Sequence, residues 1–185
     1  MGGRIRVNKQ LQILSYNPHW VVEFEAERDR IAPVIGDLAI RIEHNGSTAI
    51  PGLAAKPIID IQISVNQLHP SPRYAEPLAA LGYLHVPHVD DAFAPFFHRP
   101  SEWPHTHHVH VVEAGGQEER RTLAFRDFLR EHSVVARDYA ALKRRLAAFA
   151  DATSADSREE YARAKGEFIE CVVQVALRAG YPREL

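Results

Sequence analysis

A glycine-serine pair, a lysine, a carboxylate and two alternating histidines are the residues of this 185-residue chain best suited to act together. Gly46-Ser47 is followed after twelve residues by Asp60-Ile61-Gln62-Ile63, with Lys56 in the intervening loop. A Gly-Ser turn lets backbone N–H groups approach a phosphate closely, and the Ser47 hydroxyl can add a hydrogen bond or touch a metal. Lys56 can reach an anion held at either end of the spacer. Asp60 lies between isoleucines, where a carboxylate is costly unless solvated, paired or metal-bound. So placed, it can hold Mg²⁺ against a phosphate. Gln62 points the same way along a strand but offers only a neutral carbonyl oxygen as a ligand. The plainer alternatives are a Gly turn capped by Ser47 and an Asp60 held by an arginine.

Histidine is abundant, with eleven in the chain and seven between His85 and His110. In Thr106-His107-His108-Val109-His110, strand alternation puts His108 and His110 on one face and His107 on the other. Three roles are open for the pair. With Asp60 they make a mixed oxygen and nitrogen set suited to Mn²⁺, Fe²⁺, Zn²⁺ or Ni²⁺. One can instead act as a general base or bind phosphate as the imidazolium. Or both are hydrogen-bonded structural histidines. His85, His88, His98 and His105 read as surface loop residues. Arg99, beside Phe96-Phe97-His98, is placed to line a cleft mouth, and Trp20 and Trp103 are able either to stack on a base or to anchor the core.

These residues must be positioned by an α/β order of elements. Asn17-Pro18 predicts a helix start, running to about Gly36 with an apolar face of Trp20, Val21, Phe24, Ile31, Val34 and Ile35. Ala39 to His44 reads as a strand entering the Gly-Ser turn, with a turn of helix around 48–53. Ile58 to Val65 is the clearest strand: Asp60, Gln62 and Ser64 face one way, Ile59, Ile61, Ile63 and Val65 the other. A helix over 74–81, a strand over 83–86, a loop-rich stretch over 87–105 and a strand over 106–113 follow. The remainder predicts helices over about 117–131, 133–150 and 156–179. Residues 1–14 read as a mobile lead-in, and 15–185 as one domain.

Composition narrows the function classes. The formal net charge of −2 argues against a general nucleic-acid-binding protein, which is usually basic. The single Cys171 excludes an intramolecular disulfide and a cysteine-based zinc site, and its apolar surroundings predict a buried side chain. No apolar run approaches the ~20 residues of a membrane span, so the expectation is a cytoplasmic chain without a membrane partner. Only four of the 22 basic residues are lysines.

Gly46-Ser47, a spacer of about a dozen residues and then a strand carboxylate resemble the polymerase-β-type nucleotidyltransferase layout. That layout carries a second carboxylate where this chain has Gln62. A closer resemblance is to the GrpB family, a divergent branch of that fold. It rests on Tyr16-Asn17-Pro18-His19-Trp20, the run Gly46-Ser47-Thr48-Ala49-Ile50-Pro51-Gly52-Leu53-Ala54-Ala55-Lys56-Pro57-Ile58-Ile59-Asp60-Ile61, and His108-Val109-His110-Val111. Phe125-Arg126-Asp127-Phe128-Leu129-Arg130, Tyr139-Ala140-Ala141-Leu142-Lys143 and Tyr161-Ala162-Arg163-Ala164-Lys165 complete it, from about residue 14 to 177.

The resemblance implies an α/β (α+β) fold: a nucleotidyltransferase-like mixed β-sheet flanked by helices, with a helical C-terminal part. Three of the four lysines, Lys56, Lys143 and Lys165, fall in these motifs. With Gly46, Ser47 and Arg126 they are the implied nucleotide-phosphate contacts. Asp60, His110 and Lys56 are the implied catalytic residues, and Asp60, His108 and His110 the implied metal ligands. The helix pair Arg126-Asp127 reads equally as a local ion pair. The implied activity is transfer of a nucleotidyl group from an NTP to a small-molecule acceptor, or activation of an acid as its adenylate before condensation. It would use a divalent metal, Mg²⁺ or Mn²⁺ first, Zn²⁺ or Ni²⁺ at the histidines. The alternative is a nucleotide-binding or protein-interaction module without turnover, which Gln62 favours. GrpB-like domains also follow dephospho-CoA kinase, but this sequence has no kinase P-loop. The long C-terminal helices are compatible with a homodimer.

Overall fold

The computed structural model describes residues 10–183. Five strands form one mixed sheet in the order β1-β2-β5-β4-β3: β1 (Ala39–Asn45), β2 (Ile59–Val65), β3 (Leu84–Val86), β4 (Phe96–Arg99) and β5 (His107–Glu113). β2 and β5 are parallel at the centre, and the other neighbours are antiparallel. α1 (His19–Ile35) and α2 (Pro72–Ala80) cover one face. α3 (Gln117–Glu131), α4 (Ser133–Ala147), α5 (Ala155–Arg163) and α6 (Gly166–Arg178) gather against the other.

The alternation in β2 divides these layers. Ile59, Ile61, Ile63 and Val65 join Val109 and Val111 of β5 in a core under Trp20, Phe24, Ile31 and Ile35 of α1 and Tyr74 and Leu78 of α2. The expected stripe of α1 is narrower than the sequence suggests, because Val21 and Val34 are exposed. Asn17 Oδ1 accepts the His19 N–H at 3.0 Å and starts the helix. A second core of Ile50, Leu53, Phe128, Leu129, Tyr139 and Val172 ties the segment after the Gly-Ser turn to α3, α4 and α6.

Several sequence expectations change. The stretch read as loop over 87–105 contains β4, whose four residues are hidden between Pro95 and Pro100. The helix expected over 156–179 breaks at Ala164-Lys165, just before the poor helix former Gly166, giving α5 and α6. Cys171 is exposed, because it sits on the outer side of α6. Of the expected lead-in, residues 1–9 lie outside the described residues. Within 10–14, Leu11 is buried, Gln10 bridges to Asp151 and Leu14 pairs with Ala55. Among the described residues no helix is long and apolar enough to cross a membrane.

Arg99 is not at a cleft mouth. It lies on the α1 side, where Glu27, 3% exposed, accepts from Arg30 at 2.7 Å, Arg99 at 2.9 Å and Tyr83 Oη at 3.0 Å. Breaking a buried network by removing one partner leaves uncompensated charge. Glu27→Ala is therefore expected to cost about 3–5 kcal/mol in urea unfolding, since two guanidinium groups lose their carboxylate. Glu27→Gln, which keeps acceptor geometry without the charge, should fall between it and the parent.

Candidate functional site

The polar face of the sheet is assembled by strand register. Asn45 of β1 pairs with Asp60 of β2, Asp60 with His108 of β5, and Glu43 with Gln62, which in turn pairs with His110. Asp60, Gln62, His108 and His110 thus share one face. His107 lies on the other with Arg99, whose Nη2 is 3.2 Å from His107 Nδ1. Beside His110, Phe96 of β4 packs at a ring distance of 4.9 Å.

Gly46 has φ +66, the left-handed region that glycine adopts without penalty. A Cβ there would lie 2.7 Å from Asp60 Cγ and closer still to Oδ2, so the bare glycine Cα is what lets the carboxylate sit against the turn. The turn is clamped on both sides. His44, buried and stacked on Phe24, meets Thr48 Oγ1 at 3.0 Å. Burial pushes the His44 imidazole down to about 4, against the nearby Asp60 charge, so it is neutral. From α3, Arg126 donates to the His44 carbonyl at 3.1 Å and Arg130 to the Ala49 carbonyl at 3.0 Å. Arg126 also pairs with Glu43 at 2.6 Å and Asp127 at 2.7 Å. It braces the turn from behind and is not brought into the cleft with the other expected phosphate contacts.

The remaining expected residues do converge. One cavity of about 340 Å³ is lined by Ser47, Lys56, Asp60, His108, His110, Lys143 and Lys165, with Tyr161. A second, of about 300 Å³, shares Ser47, Asp60, His110 and Lys165, and extends past Asn45, Gln62 and Thr122 to Phe125, Ile169 and Val173. Together they make one cleft between the sheet and the C-terminal helices. A third cavity of about 430 Å³ adjoins at Lys56 and contains Trp103 and His105.

The three lysines are held mostly by aromatic rings and neutral oxygens. Lys143 Nζ donates to Ser47 Oγ at 2.9 Å and to the Ala54 carbonyl at 2.5 Å, and lies 4.6 Å from the Tyr139 ring centre. Lys165 and Lys56 stand 4.5 and 5.3 Å from the Tyr161 ring. Burial, then repulsion from Lys165, pushes Lys143 down to about 7, with Asp60 opposing. Burial and Lys56 push Lys165 down to about 8. Lys56 is lowered by burial and by Arg158, with Asp60 opposing. Asp60 itself is disfavoured as an anion by burial, but the His108 hydrogen bond first, with the electrostatic pull of His108 and of Lys56, outweighs this and holds it below the usual carboxylate range.

The expected metal set takes another form. His108 Nδ1 is 3.3 Å from Asp60 Oδ1, and its Nε2 is 3.1 Å from His105 Nδ1, so both ring nitrogens are engaged. His105 stacks on His98 at 3.8 Å. His98 is buried on β4 and bonded to the Pro100 carbonyl, and with His105 it belongs to this network, contrary to the surface-loop reading. Burial pushes His110 down to about 4, so it is a neutral imidazole. Gln62, fully buried, uses its Oε1 to accept from Asn45 at 3.0 Å and Thr122 at 2.5 Å, while its Nε2 has no partner among the described residues. Among the described residues no group of three or more His, Cys, Asp or Glu is placed to hold a metal ion. One carboxylate, an amide oxygen with two donors already on it and three nearby ammonium groups do not fit a two-metal centre, which is built on paired anionic oxygens.

Tyr161 and Lys165 share a helix face at i, i+4 in the sequence, and the structure sets them in contact. Sequence reasoning missed Asn45 and Thr122, which hold Gln62, and the ring of Tyr139 beneath Lys143, although Tyr139/Lys143 is also an i, i+4 pair.

A family model described as GrpB protein matches residues 10–174. The UPF0157 protein YqkA of Bacillus subtilis is 37% identical over 170 residues, covering 92% of this chain and 48% of YqkA, so the chain spans about half the length of that relative. A dephospho-CoA kinase of Mycobacterium leprae is 30% identical over 179 residues, covering 80% of this chain and 44% of the kinase. The crystal structure of conserved protein GrpB from Enterococcus faecalis superposes with a TM-score of 0.79 at 31% identity, covering 91% of this chain and 98% of that one.

Proposed function

This chain belongs to the GrpB family, and we propose that its cleft binds the phosphates of a nucleoside triphosphate and passes the nucleotidyl group to a small-molecule acceptor. The carrying observation is the convergence of Lys56, Lys143 and Lys165 with Ser47 and Asp60 in one cavity. Ammonium groups with no carboxylate partner among the described residues, around a hydroxyl on a glycine turn, complement a phosphorylated ligand.

In this reading the lysines and Ser47 hold the departing phosphates and stabilise the charge that develops on them. An acceptor oxygen attacks the α-phosphorus, the new P–O bond forms, and the bond to pyrophosphate breaks. His110, neutral and therefore carrying a free lone pair, takes the acceptor's proton. Asp60, kept ionised and oriented by His108, stabilises the resulting imidazolium. No step is routed through a metal, because the donor set does not match one.

A second reading is a nucleotide-binding module without turnover. It is favoured by Gln62, whose oxygen is occupied by Asn45 and Thr122 where a second carboxylate would serve catalysis. The similarity to part of a dephospho-CoA kinase agrees with a nucleotide-related role in either case.

Calorimetric titration with ATP, GTP, CTP and UTP in the presence of Mg²⁺ tests both. At least one nucleotide should bind, and Ser47→Ala should weaken it about 3- to 10-fold through loss of one hydrogen bond. Release of pyrophosphate in the presence of candidate acceptors separates transfer from binding alone. If none of the four nucleotides binds, both readings fall.

A further inference from the structure

Resting on that reading of the cleft, we infer that Lys56, Lys143 and Lys165 occupy the electrostatic place of divalent cations, so that the site takes a polyphosphate anion directly, without a bound metal ion. Three of the chain's four lysines meet here, around a single carboxylate. The local balance is therefore an excess of positive charge, where a metal centre of this layout needs an excess of negative charge to attract Mg²⁺.

Lys143 sharpens the point. It is only 2% exposed, and the groups it touches are a hydroxyl, a carbonyl and an aromatic ring. A buried ammonium without a carboxylate partner is destabilising, and a polar fold does not need one at this position. An anion in the cavity supplies the missing partner. Its arrival also restores the protonation that burial and mutual repulsion lower at Lys143 and Lys165.

Gln62 points the same way. At the position where a second carboxylate would bind metal, its Nε2 is a buried donor with no acceptor. An N–H donor buried behind the cavity wall, where a carboxylate oxygen would be needed, opposes a cation. The ligand class is thus a diphosphate or triphosphate group whose oxygens face the lysines and Ser47.

The experiment is calorimetry with inorganic pyrophosphate and with ATP, each in EDTA and in excess Mg²⁺, on the parent protein, Lys165→Met and Asp60→Asn. Both probes should bind in EDTA. Mg²⁺ should leave affinity within about 3-fold or weaken it by sequestering the anion. Lys165→Met should lose about 10-fold or more, and Asp60→Asn should bind at least as tightly as the parent, because it removes the carboxylate that stands among the lysines. ATP binding that requires Mg²⁺ and disappears in Asp60→Asn would overturn this inference while leaving the nucleotide cleft intact. Undiminished binding in a folded Lys165→Met would overturn it as well. Absence of binding in every condition would remove the cleft reading and this one together.

Discussion

Lys143→Met is expected to make this protein more stable near neutral pH while sharply weakening the polyphosphate binding proposed for its cleft. The side chain is buried and, among the described residues, its ammonium has no carboxylate against it. Burial and Lys165 bring its pKa from the ordinary 10.5 to about 7 in the folded protein. The unfolded chain therefore holds a proton between about pH 7 and 10.5 that the folded chain has released. Stability rises with pH wherever the unfolded state binds more protons, so this residue's penalty is largest below about pH 7 and fades as pH climbs through that window. Methionine fills a similar volume and carries no charge, but forfeits the hydrogen bonds to Ser47 and Ala54. After that loss, a net gain of about 2 kcal/mol at pH 6.5 is expected, or roughly 4–8 °C in melting temperature. The gain should vanish near pH 10. Pyrophosphate or ATP affinity should meanwhile fall about 100-fold. Melting curves at pH 6.5 and 10, with calorimetry at pH 6.5, read both effects. A variant less stable than the parent at pH 6.5 would mean that Lys143 is a structural residue whose hydrogen bonds outweigh its charge.

The second large effect belongs to Gly46. Gly46→Ala introduces a Cβ into a residue with φ +66 and drives it against Asp60. The backbone alone costs about 1–2 kcal/mol for an L-residue in this region. The overlap with Asp60 cannot be relieved by a flexible tip, because it involves Cγ and Cβ as well as Oδ2. A total loss of about 3 kcal/mol is expected in urea unfolding. The Asp60–His108 contact should separate, visible in NMR as a shift of the His108 ring resonances at fixed pH. Gly52→Ala is the matched control. It has φ +78 but nothing within 4 Å of the added carbon, so only the backbone cost of about 1 kcal/mol should remain. Equal losses in the two variants would refute the steric account of how the turn seats Asp60.

What the sequence conveyed and what it withheld have separate physical origins. Period-two alternation is strong in Ile59–Val65 and His107–Glu113, and it set Asp60 with Gln62 and His108 with His110; the parallel register of β2 and β5 brings the two pairs to one face. The motif lysines were legible as a group because lysine is scarce in this chain. β4 was not, since four residues between prolines give no usable period. The division of α5 from α6 was hidden because Ala164-Lys165-Gly166 interrupts a pattern that is otherwise helical. Arg126 was legible as basic and helical, but its partner Glu43 is 83 residues away, and only the packing of α3 on β1 turns it from the cleft to the brace. His108 resembled a metal ligand for a similar reason. Its partner across the sheet and its neighbour His105 fix both ring nitrogens, and neither contact is encoded in the spacing of the histidines alone.

The site draws on both ends of the fold, and this gives it an order in time. The turn, Asp60 and the histidines are complete by β5, whereas Lys143 and Lys165 belong to α4 and to the junction of α5 with α6. During synthesis the sheet with its carboxylate and imidazoles leaves the ribosome first, and the helices carrying the two cations arrive last. A nascent chain that had emerged only through α3 would hold Asp60 and Lys56 in rough balance, and the arrival of the final helices would turn the groove positive. Docking of the C-terminal helices is then the event that completes the proposed phosphate cleft, and a phosphorylated ligand present at that moment would act as the counter-ion that lets those helices close.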